Sequence, residues 1–206
     1  MLFFIENLKS CDILYFRVIW LYEVCLLEAV MEFDILYALQ NLHGDFFDKL
    51  MLMVTSVIGE YGLVFIVFGA ILCIFKKTRK CGVAVIISYL LVVIIGNIIL
   101  KNLIARERPC AIDTSIMLLV EKPSGFSCPS VHTAFAFSFA TAVFMYYKKW
   151  GIVALVFALL VAFSRMYLFV HFPSDVLIGA VLGVLCSVLA FFIVRFIFEK
   201  ISKRQN

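Results

Sequence analysis

Charge is scarce in this sequence, and no charged tract in it is long. Of 206 residues, 16% are Asp, Glu, Lys or Arg, against 65% hydrophobic. Soluble domains are roughly 45–50% apolar. The excess is more than one buried core can absorb, so lipid is the expected solvent for much of the surface. With a net charge of only +4 and no basic tract long enough to suggest it, no nucleic-acid partner is expected, and the positive charges need another explanation. No CxxC pair occurs among the seven cysteines, Cys11, Cys25, Cys73, Cys81, Cys110, Cys128 and Cys186, which argues against a zinc site. Most of them lie in apolar stretches, where a thiol acts as a small hydrophobe. No carboxylate cluster of the kind that holds magnesium is present. A signal peptide is not read at the N-terminus, because a basic start is missing and Arg17, Glu23 and Glu28 interrupt its apolar run. No internal repeat or low-complexity linker divides the chain.

What the sequence has in abundance is apolar runs. They cover residues 51–75 (interrupted only by Glu60), 81–100, 133–147, 150–170 (with Ser164 and Arg165) and 176–198 (with Arg195 near its end). Each approaches the ~20 residues that cross a bilayer, the third only with help from its flanks. Lipid cannot satisfy exposed amides, so these runs must be helical. The predicted fold is all-α: a polytopic membrane helix bundle of five spans, with a possible sixth at the N-terminus. Residues 1–33 read as a separate N-terminal segment, either a weak span or an interfacial amphipathic helix, with Met31 as an alternative start. Residues 34–206 read as one membrane domain.

Lysine and arginine in short loops set the orientation. Lys76, Lys77, Arg79 and Lys80 fill the first connection, Lys148 and Lys149 the third, and Arg195, Lys200, Lys203 and Arg204 mark the C-terminus. Five alternating spans put these on one side, the expected cytoplasmic side. Residues 101–132 and 171–175 then face outward. That outer loop still carries Lys101, Arg106, Arg108 and Lys122, nearly balanced by Glu107, Asp113 and Glu121.

The derived topology gathers the chemically capable residues at outward helix ends. Lys101 ends one run, Arg108-Pro109 follows it, Ser130-Val131-His132 opens the next, and Ser164-Arg165, His171 and Asp175 cluster around the outer end of another. Singly, each has a plainer explanation. Lys101 can be a snorkelling anchor, Arg108-Pro109 a loop turn, Ser130 an N-cap and His132 an interfacial histidine. Arg165 resists that treatment, because a charge inside an apolar span is costly. Together the residues suit phosphoryl transfer. Two arginines and a lysine bind phosphate oxygens, the arginines as bidentate forks, and the helix start after Ser130 adds amides. One histidine attacks phosphorus while a carboxylate orients it, and the other protonates the leaving group.

The spacing is specific: KNLIARERP from Lys101 to Pro109, PSVH from Pro129 to His132, and SRMYLFVHFPSD from Ser164 to Asp175. In order and spacing these resemble the motifs KxxxxxxRP, PSGH and SRxxxxxHxxxD of the type 2 phosphatidic acid phosphatase superfamily, relatives of the vanadium haloperoxidases, over about residues 34–198. The resemblance implies His171 as a nucleophile that becomes phosphohistidine, Asp175 as its partner and His132 as general acid. It implies Lys101, Arg108, Ser130, Val131 and Arg165 as the phosphate-binding set, with no metal and no cofactor. Val131 stands where the family has glycine. Because it sits at a helix start, ordinary helical dihedrals are expected, which valine tolerates.

The implied function is a metal-independent membrane lipid phosphatase whose substrate is a lipid phosphate or isoprenoid pyrophosphate, foremost undecaprenyl pyrophosphate at the outer leaflet. Phosphatidylglycerophosphate and phosphatidic acid are the rival substrates, and a catalytically weak lipid-phosphate binder is the rival class. The expected location is the cell membrane, multi-pass, with the site outside and the C-terminus cytoplasmic. Oligomeric state is not legible. Cys110 and Cys128 flank two of the motifs in the outer loop, where an oxidising compartment would preserve a disulfide. A bridge there would add about 3 kcal/mol by the chain-entropy account, and two unrelated thiols are the alternative.

Overall fold

A computed structural model describes residues 30–59 and 62–205, and all regular structure among them is helical. Helix α1 covers residues 30–40, α2 Asp45–Ile58 and α3 Leu63–Ile74. Helix α4, Arg79–Leu91, runs on through a π-helical segment, Val92–Leu100, into the short α5, Lys101–Ile104. Then come α6 (Pro109–Ile112), α7 (Val131–Tyr146), α8 (Lys148–Tyr167) and α9 (Pro173–Gln205).

Among the described residues, three stretches are long and apolar enough to cross a membrane: Arg79–Ile112, Lys148–Tyr167 and Pro173–Lys203. A fourth arises if α2 and α3, bent by 56° at their junction, count as one broken span. The apolar run at 51–75 is therefore two helices. Gly59 (φ 64°) and Gly62 (φ 65°) bracket the break in left-handed backbone that glycine enters without steric penalty. Gly62 has a second reason to lack a side chain, since a Cβ there would lie 2.5 Å from the Phe135 ring of α7. The run at 133–147 becomes the 16-residue α7, shorter than the ~20 residues of a full crossing. Residues 1–29, which hold most of the segment read as either a weak sixth span or an interfacial helix, and Glu60 lie outside the described residues.

Helix α7 is the centre of the bundle and packs most extensively on α9 and α8. The approach to α9 is backbone to backbone. A Cβ on Gly179 would stand 2.5 Å from the Ser130 carbonyl oxygen, and one on Gly183 would collide with the Ala134 carbonyl oxygen. These glycines are four apart and share a face of α9. In lipid, where tails are as apolar as side chains, such close approach drives association of helices. The core around the contact holds Ala134, Ala140, Val161, Leu182 and Cys186.

The two ends of the bundle differ. At one end the basic connections meet: the Tyr147 hydroxyl donates to the Lys77 carbonyl oxygen (2.9 Å), and the Lys80 ammonium lies 5.5 Å from the Phe198 ring centre. At the other end lie the C-termini of α5 and α8 and the N-termini of α7 and α9, with the residues described next.

Candidate active site

Lys101 follows directly on the π-helical segment. The wider i→i+5 winding re-phases the residues after it, a device that recurs at functional sites. Ala105 (φ 48°) then turns the chain through left-handed backbone. Arg108 is extended (φ −81°, ψ 151°), with Pro109 at the first position of α6, where its missing N–H is no loss. Its buried guanidinium donates from Nε to the Gly125 carbonyl (3.0 Å), from Nη1 to the Val170 carbonyl (3.0 Å) and from Nη2 to the Ser124 carbonyl (3.4 Å).

Ser130 precedes α7 without capping it; its hydroxyl pairs with that of Thr133 at 3.0 Å. Its backbone N–H donates to the Asp175 carbonyl at 3.0 Å, joining the start of α7 to the start of α9. Val131 opens α7, and the positive-φ non-glycine positions among the described residues are Ala105 and Phe169. Valine in place of glycine is therefore unstrained here.

Arg165 lies in the last turn of α8, 5% exposed, and Nη1 donates to the Thr55 hydroxyl at 2.5 Å. Its buried Nε has no hydrogen-bond partner, an expensive omission for a charged donor. Lys101 lies within electrostatic reach of Arg108 and Arg165, and His132 within reach of Arg165, His171 and Lys101. Among the described residues none of the three cations is salt-bridged to a carboxylate. Three like charges that repel one another, none of them salt-bridged to a carboxylate among the described residues, suit a multiply charged anion.

The loop 168–172 between α8 and α9 is buried throughout. Phe169 takes φ 58°, an outlier for a bulky side chain of the kind that marks functional sites. It is held there by the rings of Phe33 and Tyr37 from α1, at 6.3 and 5.8 Å between centroids. Beyond this turn, His171 Nε2 faces Arg108 Nη1 at 3.2 Å. Guanidinium offers only donors, so Nε2 carries the lone pair and Nδ1 the proton. Nδ1 lies 3.7 Å from Asp175 Oδ2 and 3.5 Å from the Ser127 hydroxyl. Asp175 is therefore a small movement away from a direct hydrogen bond to the ring. Burial, reinforced by Arg165 and Arg108 against the opposing pull of Asp175, holds the His171 imidazole down at about 3. A value this low keeps the ring neutral near pH 7, with the Nε2 lone pair directed at Arg108 Nη1.

All the residues singled out in the sequence thus meet at one end of the bundle. Four others were not singled out. Arg106 contacts Asp175, Ser127 donates to Asp175 through a short hydrogen bond, Glu32 pairs with Arg106, and Thr55 meets Arg165. Arg106 lies inside the segment Lys101–Pro109 and Ser127 two residues before Pro129, and that proximity was the available signal. Glu32 and Thr55 are joined to the site only by folding. Of the two readings left open for Cys110 and Cys128, the structure shows the unbridged one: both thiols are free. Cys110 packs with Leu36, Met51 and Leu168, whereas Cys128 lies against Asp175, its thiol pushed by burial up to about 11. Among the described residues no three His, Cys, Asp or Glu side chains group as they would around a metal ion.

The family model described as the PAP2 superfamily matches residues 81–199. An undecaprenyl-diphosphatase of Sulfolobus acidocaldarius is 35% identical over 142 residues, 68% of each chain. A protein of Bacillus licheniformis named bacitracin transport permease protein BcrC is 33% identical over 67% of this chain and 69% of its own. Among solved structures, a transmembrane PAP2-type phosphatidylglycerolphosphate phosphatase from Bacillus subtilis superposes with a TM-score of 0.66 at 28% identity, covering 84% of this chain and 87% of that one.

Proposed function

This chain belongs to the PAP2 superfamily and is a membrane lipid phosphatase, and from that premise we propose that it hydrolyses an isoprenoid pyrophosphate, undecaprenyl pyrophosphate foremost, through a phosphohistidine. The observation that carries this reading is the convergence of His171 and His132 with three cations, none salt-bridged to a carboxylate among the described residues and one of them with an unpartnered buried N–H.

In this reading the cations and the amides at the start of α7 hold the terminal phosphate. The Nε2 lone pair of His171 attacks phosphorus. His132 takes up a proton as the phosphate dianion binds among the cations, and as the P–O bond breaks this imidazolium gives that proton to the leaving lipid phosphate and becomes neutral. Asp175 accepts the Nδ1 hydrogen bond and stabilises the positive ring of the phosphohistidine. Water then attacks that phosphorus and gives His132 a proton, releasing phosphate and restoring His171. No step calls for a metal, because Lys101, Arg108 and Arg165 supply the positive charge.

Similarity to a named undecaprenyl-diphosphatase over two thirds of both chains supports the isoprenoid substrate. Phosphatidylglycerophosphate is the second reading, favoured by the fold of the Bacillus subtilis phosphatase. The ordinary backbone at Val131 removes the sequence argument for an inactive phosphate binder. Phosphate release by the purified protein from C55 isoprenoid pyrophosphate, phosphatidic acid and phosphatidylglycerophosphate decides among these. The isoprenoid is expected to give the highest kcat/KM, with full activity in EDTA. Loss of activity in chelator that magnesium restores would overturn the mechanism.

The site is proposed to face outward and the C-terminus the cytoplasm, on the strength of the basic residues gathered at the opposite end of the bundle. A cysteine introduced within residues 113–122 should react with a membrane-impermeant maleimide from outside intact cells. Labelling at positions 76–80 instead would invert the topology and remove the outer-leaflet substrate.

A further inference from the structure

We propose that Arg106 and Glu32 are positioning residues that clamp Asp175 against His171, making helix α1 a working part of the catalytic apparatus. The inference rests on the reading of His171 as nucleophile. Asp175 is wholly buried, and a buried carboxylate without a compensating cation is strongly disfavoured. His171 cannot be that cation in the resting site, because its ring is neutral. Arg106 takes the role: Nη1 lies 2.9 Å from Asp175 Oδ1 and donates to the Ser174 hydroxyl at 2.6 Å.

The other Asp175 oxygen, Oδ2, is left for the nucleophile. It receives the Ser127 hydroxyl and the Phe172 N–H (2.9 Å), and it is the oxygen that faces His171 Nδ1. Arg106 thus occupies one carboxylate oxygen and orients the other. Its own placement is fixed on two further sides. The guanidinium carbon lies 4.0 Å from the Phe172 ring centre, and Nη2 pairs with Glu32.

Glu32 serves two segments at once. One oxygen holds Arg106, and the other accepts the Ser174 N–H at 3.0 Å in the first turn of α9. Tyr37, on the same helix, donates to Asp113 at 2.8 Å, and Phe33 stands edge-on to Phe172 at 5.2 Å. Helix α1 therefore straps the loop after α5, the end of α6 and the start of α9 to one another. Among the described residues the ionisable groups around Asp175 are His171, Arg106, Arg108, Cys128 and, through Arg106, Glu32, and His171 itself also faces Arg108, Arg165 and His132.

The test compares Arg106→Gln, Arg106→Lys, Glu32→Gln and His171→Ala in detergent-purified protein, with the exposed Arg195–Glu199 pair disrupted by Glu199→Gln as control. Arg106→Gln is expected to lower kcat by about 10- to 100-fold, the size that follows when a buried carboxylate loses its charged partner, with KM little changed. Arg106→Lys should recover part of that loss. Glu32→Gln, which keeps an oxygen for Ser174, should lower kcat in the same direction by less. In Arg106→Gln the acid limb of kcat/KM should move to higher pH, because a cation beside the His171–Asp175 pair is gone; a purely structural role would leave the limb in place.

If Arg106→Gln does not yield monodisperse protein, Glu32→Gln and Arg106→Lys carry the test through the same kcat and pH readouts. Unchanged kcat and pH profile in the folded variants, with His171→Ala inactive, would overturn the clamp alone. Turnover surviving in His171→Ala would overturn the reading beneath it.

Discussion

Replacing His171 with alanine should eliminate turnover and the covalent phosphoenzyme together. The imidazole is 2% exposed, and its Nε2 is the nitrogen turned toward Arg108, so no neighbouring water can take up its position without losing the contacts that orient it. A nucleophile that forms the intermediate cannot be bypassed by binding alone. A fall of at least about 10,000-fold in kcat is expected, as for other groups that act as one unit with their base and clamp. The measurement is steady-state phosphate release combined with trapping of an alkali-stable, acid-labile phosphoprotein from labelled substrate. A phosphoprotein that survives in this variant would assign the nucleophile elsewhere.

The wild-type pH profile offers an independent check. Protonation of His171 blocks the lone pair, and its value near 3 is well below the ~6.5 of an ordinary histidine. The free-enzyme acid limb set by this ring should therefore lie well below pH 6.5. Activity would be retained in mild acid and lost only as pH falls through the depressed value.

Removal of His132 should separate substrates by leaving group. General acid catalysis contributes about 10²–10⁴-fold, and that contribution is needed only when the departing oxygen is a poor leaving group. His132→Ala should lose that factor with an isoprenoid or glycerophospholipid substrate and far less in the first chemical step with p-nitrophenyl phosphate. Water attack on the phosphohistidine also requires His132 as base, so a burst of p-nitrophenol followed by slow turnover is expected, with phosphoenzyme accumulating. Equal losses in the burst rate for good and poor leaving groups would remove His132 from the role of acid. It is the second residue of α7, within electrostatic reach of Arg165, His171 and Lys101, so it can hold the proton it donates only while a bound phosphate offsets those cations.

Much of this molecule was legible in its residues because helices in lipid are local objects. Unbroken apolar runs of about 20 residues pointed to helices, since a membrane-spanning helix satisfies its own amides and barrel strands are shorter and alternate in polarity. The motif spacings also belong to single segments. Lys101 to Arg108 spans one helix end and its turn, and His171 and Asp175 are separated by one turn at the start of α9. Spacing within a segment is a property of the chain, so Lys101, Arg108, Ser130, His132, Arg165, His171 and Asp175 could all be named before any fold was drawn.

What required the tertiary structure is what joins segments or departs from regular geometry. The left-handed glycines that divide the first apolar run, the π-helical winding before Lys101 and the turn at Phe169 depend on packing around them. No hydrophobic pattern encodes them. The approach of α7 to α9 rests on Gly179 and Gly183, which in sequence are two small residues among many. The separate burial of Cys110 and Cys128 replaced a plausible bridge with two free thiols. Glu32 is the clearest case: 143 positions separate it from Asp175, and an acidic residue in an ambiguous N-terminal stretch carries no periodicity that points to a partner. Only folding α1 onto the loop before α9 places its carboxylate on Arg106, because contacts between distant segments are set by shape and burial rather than by spacing along the chain.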